Sequence, residues 1–174
     1  ESLGREAGRR RALVAVSGGV DSRLLARLAW DWGLDVTAVL FAGPHLTPGE
    51  LAAARAWLAD SGKPHVVLEF DPLALPEVRR NALDRCYHCK RACFGLALDL
   101  ARSRGARAVF DGGNASDTGQ YRPGRAALAE LGVVSPFAEL GVTKSDIRAL
   151  AREKGLDRPD QPARPCLLTR FAYG

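Results

Sequence analysis

The hexapeptide Ser17-Gly18-Gly19-Val20-Asp21-Ser22 limits the fold more than any other feature of the chain, because of what flanks it. Before it runs the continuous apolar stretch Ala12 to Val16, and after it Leu24, Leu25, Leu28 and Ala29 recur at helical spacing. Strand, glycine turn and helix in that order open an α/β sheet of the kind that binds ligands at the carboxyl ends of its strands. The two glycines let backbone amides approach an anion, the hydroxyls of Ser17 and Ser22 add donors, and the helix N-terminus brings its positive dipole end. Asp21 is placed to hold Mg²⁺ or to cap the helix. A bare Ser-Gly-Gly turn would need no ligand at all. The loop lacks both the G-K-[ST] of a Walker loop and the G-x-G-x-x-G of a dinucleotide fold, which disfavours γ-phosphoryl transfer and hydride transfer.

The rest of the chain repeats the strand-helix alternation. Val36 to Phe41 is a second apolar run, and Thr47, Pro48 and Glu50 supply an N-cap, an N1 proline and a capping-box acid for a helix stopping near Gly62. Val66 to Phe70 and Ala108 to Asp111 read as strands three and four, with a helix from about Cys86 to Arg104 between them. Val133 to Phe137 is a fifth candidate strand, and Thr143 with Asp146 caps a helix carrying Ile147, Leu150 and Ala151 and ending at Gly155. This predicts an α/β class: a doubly wound, mostly parallel sheet of about five strands in a core over 12–155. Pro159, Pro162 and Pro165 make residues 156–174 an extended arm, not a helix. There is no internal repeat and no low-complexity tract.

Composition bears on the ligand and the setting. A length of 174 residues with 47% hydrophobic content suits a single domain, and the net charge of +5 suits polyanions such as nucleotides as well as RNA. No apolar run approaches the ~20 residues a membrane span needs, and no secretory segment follows the Arg-rich start, so a cytoplasmic protein without a membrane partner is expected. Four cysteines then point to reactive thiols or metal ligands, not disulfides. Cys86, Cys89 and Cys93 lie on one helix face with His88 among them, a packed small-residue face or, with Cys166 or His88 added, an iron-sulfur or zinc site. The loop from Asp111 to Asp117 should face the nucleotide, with Asn114 and Asp117 placed for ribose or Mg²⁺ contacts. Arg122 and Arg125 are candidates to clamp a phosphate or carboxylate of the substrate. His45 and His65 carry no motif. With no methionine and Glu1 at its start, the chain is expected to be part of a longer translation product.

The full Ser17 to Ser22 loop resembles the phosphate loop (PP-loop) of the ATP pyrophosphatases, which cleave ATP between the α and β phosphates. Arg85-Cys86-Tyr87-His88-Cys89-Lys90, Asp111 to Asp117, Arg122-Pro123-Gly124, Ser135-Pro136-Phe137, Gly141-Val142-Thr143-Lys144 and Pro162 to Gly174 narrow the resemblance to the LarE family of ATP-dependent sacrificial sulfur transferases. That resemblance spans nearly all of residues 12–174. It implies that ATP adenylates the carboxylates of a pyridinium dicarboxylate mononucleotide and that a protein sulfur attacks. The thiocarboxylate produced feeds nickel-pincer cofactor biosynthesis and its pathway enzymes. Cys166 matches the sacrificial cysteine, while other members use an iron-sulfur cluster. The implied cofactors are ATP and Mg²⁺, and the implied assembly is a homo-oligomer.

Arg164 and Arg170 flank Cys166 and are expected to lower the pKa of its thiol electrostatically and to contact substrate. Gln161 stands where the family pattern has lysine, Thr169 replaces serine, and Asp157-Arg158-Pro159 replaces a stretch that usually contains tryptophan. Family members continue past the Tyr-Gly pair into a smaller C-terminal domain, outside these residues. The competing readings are a PP-loop tRNA thiolation enzyme or another ATP-pyrophosphatase ligase, and a nucleotide-binding module without catalysis. A tRNA enzyme should show a larger basic patch, which disfavours nucleic acid as the partner.

Overall fold

A computed structural model describes residues 11–117 and 122–173; Gly174, the last residue of the arm motif, lies outside them. Four parallel strands form one sheet: β1 (Ala12–Ala15), β2 (Val36–Ala42), β3 (His65–Glu69) and β4 (Ala108–Phe110), in the order β3-β2-β1-β4. Strand β1 is central, with Ala12 beside Val36 on one side and Ala108 on the other. Because successive strand residues point to opposite faces, β1 divides its side chains between two cores. Ala12 and Val14 enter the layer formed with helix α1 (Val20–Asp31), helix α2 (Pro48–Asp60) and helix α7 (Lys144–Glu153). Leu13 enters the layer formed with α4 (Arg85–Ser103) and α5 (Pro123–Glu130). Helices on both faces of a parallel sheet give the doubly wound α/β architecture expected from the sequence.

Local signals account for the helix starts. At α2, the Thr47 side chain accepts from the Glu50 amide and the Glu50 carboxylate accepts from the Thr47 amide at 2.9 Å, with Pro48 at the first helical position. Thr143 and Asp146 make the same reciprocal pair at α7. Between β3 and α4 the chain makes a 3₁₀ turn at Pro72–Ala74 and a single helical turn, α3 (Pro76–Arg79), neither of which the apolar pattern announces.

The fifth strand does not form. Val134 makes one isolated parallel bridge to Phe110, and Pro136 then opens the short helix α6 (Pro136–Glu139). Proline has no amide to donate to a ladder and its fixed φ suits the first helical position. The apolar character of Val133 and Phe137 reflects burial at 8% and 5% exposure in two different cores, not strand pairing. The arm is extended over most of its course but contains a 3₁₀ turn at Leu167–Arg170, immediately after Cys166. No helix among the described residues is long and apolar enough to cross a membrane.

Candidate functional site

The loop between β1 and α1 is shaped by backbone conformation. Gly18 has φ +79°, a left-handed value that glycine adopts without cost, and a Cβ there would lie 3.0 Å from the Cβ of Ala54. Ser17 and Ser22 close the loop: the Ser22 hydroxyl accepts from the Ser17 amide at 3.1 Å and donates to the Gly19 carbonyl at 3.1 Å. Gly19 caps α1 with no side-chain bond, so the first-turn amides keep their donors for an anion. Gly112 seats the opposite wall, since a Cβ there would fall 2.9 Å from the Ser22 nitrogen. Only a glycine lets the strand β4 loop approach the helix start this closely.

Asp21 is in the first turn of α1 and does not act as its cap. Its carboxylate accepts from the buried Asn114 amide group at 3.0 Å and from the Lys144 ammonium. Asn114 in turn donates its backbone amide to the Asp117 carboxylate at 3.2 Å, and Ser116 donates to the Asn114 side-chain oxygen at 3.0 Å. The ends of β1 and β4 and the start of α7 are thus joined by one polar chain. Asp117 also pairs with Arg122 at 3.0 Å, and Arg125 donates to the Asp117 carbonyl at 3.0 Å. Both arginines expected as clamps are therefore held at Asp117, at the end of the loop that follows β4. Lys144 had a motif but no role in the sequence; the signal was its place at the first position of a capped helix.

For Mg²⁺ the donor set fits: a carboxylate at the phosphate loop is the hard oxygen ligand that this ion takes beside substrate phosphates, and Asp21 already attracts the Lys144 cation. An iron-sulfur cluster or zinc fits poorly. Among the described residues no three His, Cys, Asp or Glu side chains are gathered closely enough to hold a metal ion. Cys86 and Cys89 are half-buried and Cys93 is buried, on one face of α4 as the spacing predicts. The Cys93 thiol donates to the Lys90 carbonyl at 3.6 Å, and its interaction with Cys89 pushes the Cys89 thiol up, helped by burial, and draws the Cys93 thiol down.

The arm returns across the same end of the sheet. Gln161, 8% exposed, donates its side-chain amide to the Gly18 carbonyl at 3.1 Å, so the residue that departs from the family pattern sits on the phosphate loop itself. Four residues earlier, Asp157 pairs with Arg23, which is 1% exposed on α1 and also donates to the Asp157 carbonyl at 3.0 Å. After Cys166, the Leu167 amide donates to the His45 carbonyl at 3.1 Å. That half-buried His45 is held below the ordinary imidazole range by burial.

Cys166 itself corrects one expectation. Its thiol is held above its ordinary value, first by burial and further by the neighbouring Cys89 and Cys86 thiols. The cation acting on it is Arg85 of α4. Arg164 and Arg170 are exposed, and their charges act on Glu50 at the start of α2. For Arg170, flanking in sequence did not place it against the sulfur because the 3₁₀ turn redirects the chain at Leu167.

No family model matches the chain. It is 41% identical over 165 residues to an uncharacterised protein of Synechocystis, covering 94% of this chain and 62% of that one. It is 35% identical over 166 residues to the pyridinium-3,5-bisthiocarboxylic acid mononucleotide synthase of Lactiplantibacillus plantarum, covering 94% of this chain and 60% of the synthase. The chain thus spans about three fifths of these relatives' length. Among solved structures, an NMN synthetase from Francisella tularensis superposes with TM-score 0.63 at 16% identity, over 93% of this chain and 69% of that one, a likeness of fold.

Proposed function

On the premise that this chain belongs with the LarE family over the stretch it shares with that family, we propose that it activates a carboxylate with ATP and delivers to it the sulfur of Cys166. The acceptor in this reading is a pyridinium-3,5-dicarboxylate mononucleotide, the precursor of what the Lactiplantibacillus relative's name describes. One observation carries the reading: the arm bearing Cys166 is fastened by Gln161 to Gly18 of the phosphate loop, so a nucleotide there and the thiol share one end of the sheet.

The chemistry balances as follows. A carboxylate oxygen attacks the α-phosphorus of ATP, pyrophosphate leaves, and an acyl-adenylate forms. The loop amides of Gly18 and Gly19 and the hydroxyls of Ser17 and Ser22 hold phosphate oxygens during that step. Asp21 would be the residue to hold Mg²⁺ at this loop, and the ion would supply charge neutralisation on the phosphates. Lys144 beside Asp21 adds a second positive charge on the same side. The Cys166 thiolate then attacks the acyl carbon, AMP departs, and a thioester forms. Loss of the Cα proton and cleavage of the Cβ–Sγ bond leave dehydroalanine on the protein and a thiocarboxylate on the product. Burial holds the Cys166 thiol above its ordinary value, so this reading calls for a base in the assembled site to take its proton.

The test is the intact mass of the full-length protein before and after incubation with ATP, Mg²⁺ and the dicarboxylate nucleotide. A loss of about 34 Da mapping to Cys166, with stoichiometric AMP, is the expected result. AMP release with an unchanged protein mass would overturn Cys166 as the sulfur source. Absence of AMP would overturn carboxylate activation.

A further inference from the structure

The start of α4 carries positive charge that no carboxylate among the described residues pairs with. Arg85, its first residue, is 3% exposed, and its Nη1 is buried with no hydrogen-bond partner. No described carboxylate forms an ion pair with it. The first turn of α4 contains no acid, and Asp84 at its N-cap makes no capping bond; its carboxylate turns instead to His88 at 3.2 Å. The ring of Tyr173, from the far end of the arm, covers the Arg85 guanidinium with its centroid 4.4 Å from Cζ. An aromatic face attracts a cation but accepts no hydrogen bond from the edge of its fork.

A guanidinium withdrawn from water without an anion is costly, and its planar fork matches a carboxylate in two-point contact. Tyr173 belongs to the arm that carries Cys166, so its contact with Arg85 brings that arm to the unfilled donor, and the Arg85 charge acts to lower the pKa of the Cys166 thiol. We propose that Arg85 is an anion-binding residue that holds a carboxyl group of the acceptor against Cys166, with Tyr173 closing over it. This identity of the anion rests on the acyl-transfer reading above; the charge at the thiol does not. Lysine would satisfy the charge without the fork, which distinguishes attraction from two-point holding.

The probe is iodoacetate against iodoacetamide, two alkylating agents of similar size of which only the first carries a carboxylate. In each case the thiolate displaces iodide, forming an S–C bond as the C–I bond breaks. Rates at Cys166 are read by peptide mass spectrometry in the full-length protein, without ATP or acceptor, and the iodoacetate-to-iodoacetamide ratio is divided by that of N-acetylcysteinamide, an uncharged thiol. The ratio in the wild type should exceed the reference by about fivefold, as expected for a fixed cation close to a half-buried thiol. It should fall to the reference in Arg85→Met and be partly kept in Arg85→Lys. A wild-type ratio at or below the reference overturns the proposal, as does an unchanged ratio in a cooperatively melting Arg85→Met. If Arg85→Met does not fold, the wild-type ratio and Arg85→Lys decide. Because neither ATP nor acceptor is present, a failed sulfur transfer leaves this result standing, and a failed ratio leaves the transfer test standing.

Discussion

Gly18 and Asp157 show two kinds of residue-level necessity. Gly18 needs its missing side chain twice over, for φ +79° and for the 3.0 Å that would separate an added Cβ from Ala54. Gly18→Ala should therefore cost about 1–2 kcal/mol of stability and weaken ATP binding about tenfold or more, read by thermal melts and calorimetric titration; equal affinity would show that the loop shape is dispensable. Asp157 matters through its partner. Burial pushes its carboxyl up, but bonds from Arg158 and the charge of Arg23 outweigh this and hold it below the ordinary carboxylate range. A depressed folded pKa gives stability that is present above the unfolded value of about 4 and is lost as pH falls through the folded one. Asp157→Asn should thus destabilise by about 1 kcal/mol at pH 7, because Arg23 stays buried while solvent screens the half-exposed carboxylate, with the difference from wild type shrinking below about pH 4. Urea melts at pH 7 and pH 3 check this, and a pH-independent difference would refute it.

Elements were legible where one local signal sufficed. Both capping boxes, at Thr47 and Thr143, were written in the sequence, and Thr143→Ala should remove about 1 kcal/mol and lower the melting midpoint by about 3 °C with the sheet intact by circular dichroism. The four strands were legible as apolar runs because a sheet covered on both faces buries nearly all of its central strands. The fifth was not, since an apolar run cannot distinguish a strand from a buried turn, and Pro136 decides between them only once its missing amide is considered. That the loops 17–22 and 111–117 meet followed from their positions at the strand ends, although the bond from Asn114 to Asp21 did not. The contacts of Lys144, Gln161, Arg23 and Arg85 did not, because each joins segments more than eighty residues apart, or answers a partner such as Tyr173 that no spacing rule brings near.

Across the whole molecule the arm that carries Cys166 is tied back to the rest of the fold at several separate places. Asp157 is tied to α1, Asp160 to Arg152 of α7, Gln161 to the phosphate loop, Leu167 to the His45 carbonyl beyond β2, Ala172 to Asn81 before α4 at 2.6 Å, and Tyr173 to Arg85 by its ring. Most of these contacts are a single bond or ion pair, and little of the arm is buried beyond Leu156 and Gln161, so the arm should open locally without global unfolding. A hydrogen bond worth about 1 kcal/mol changes such an opening equilibrium about fivefold. Gln161→Ala is therefore expected to raise the rate of tryptic cleavage after Arg170 about fivefold while moving the melting midpoint by no more than about 3 °C. The same opening should raise Cys166 alkylation, since burial is the main restraint on that thiol. If cleavage is unchanged, the other anchors hold the arm and the link from phosphate loop to thiol is not mechanical. If cleavage and alkylation rise together, the loop that binds phosphate also sets the exposure of the sulfur, and ATP bound at Gly18 would act on Cys166 through five residues of backbone.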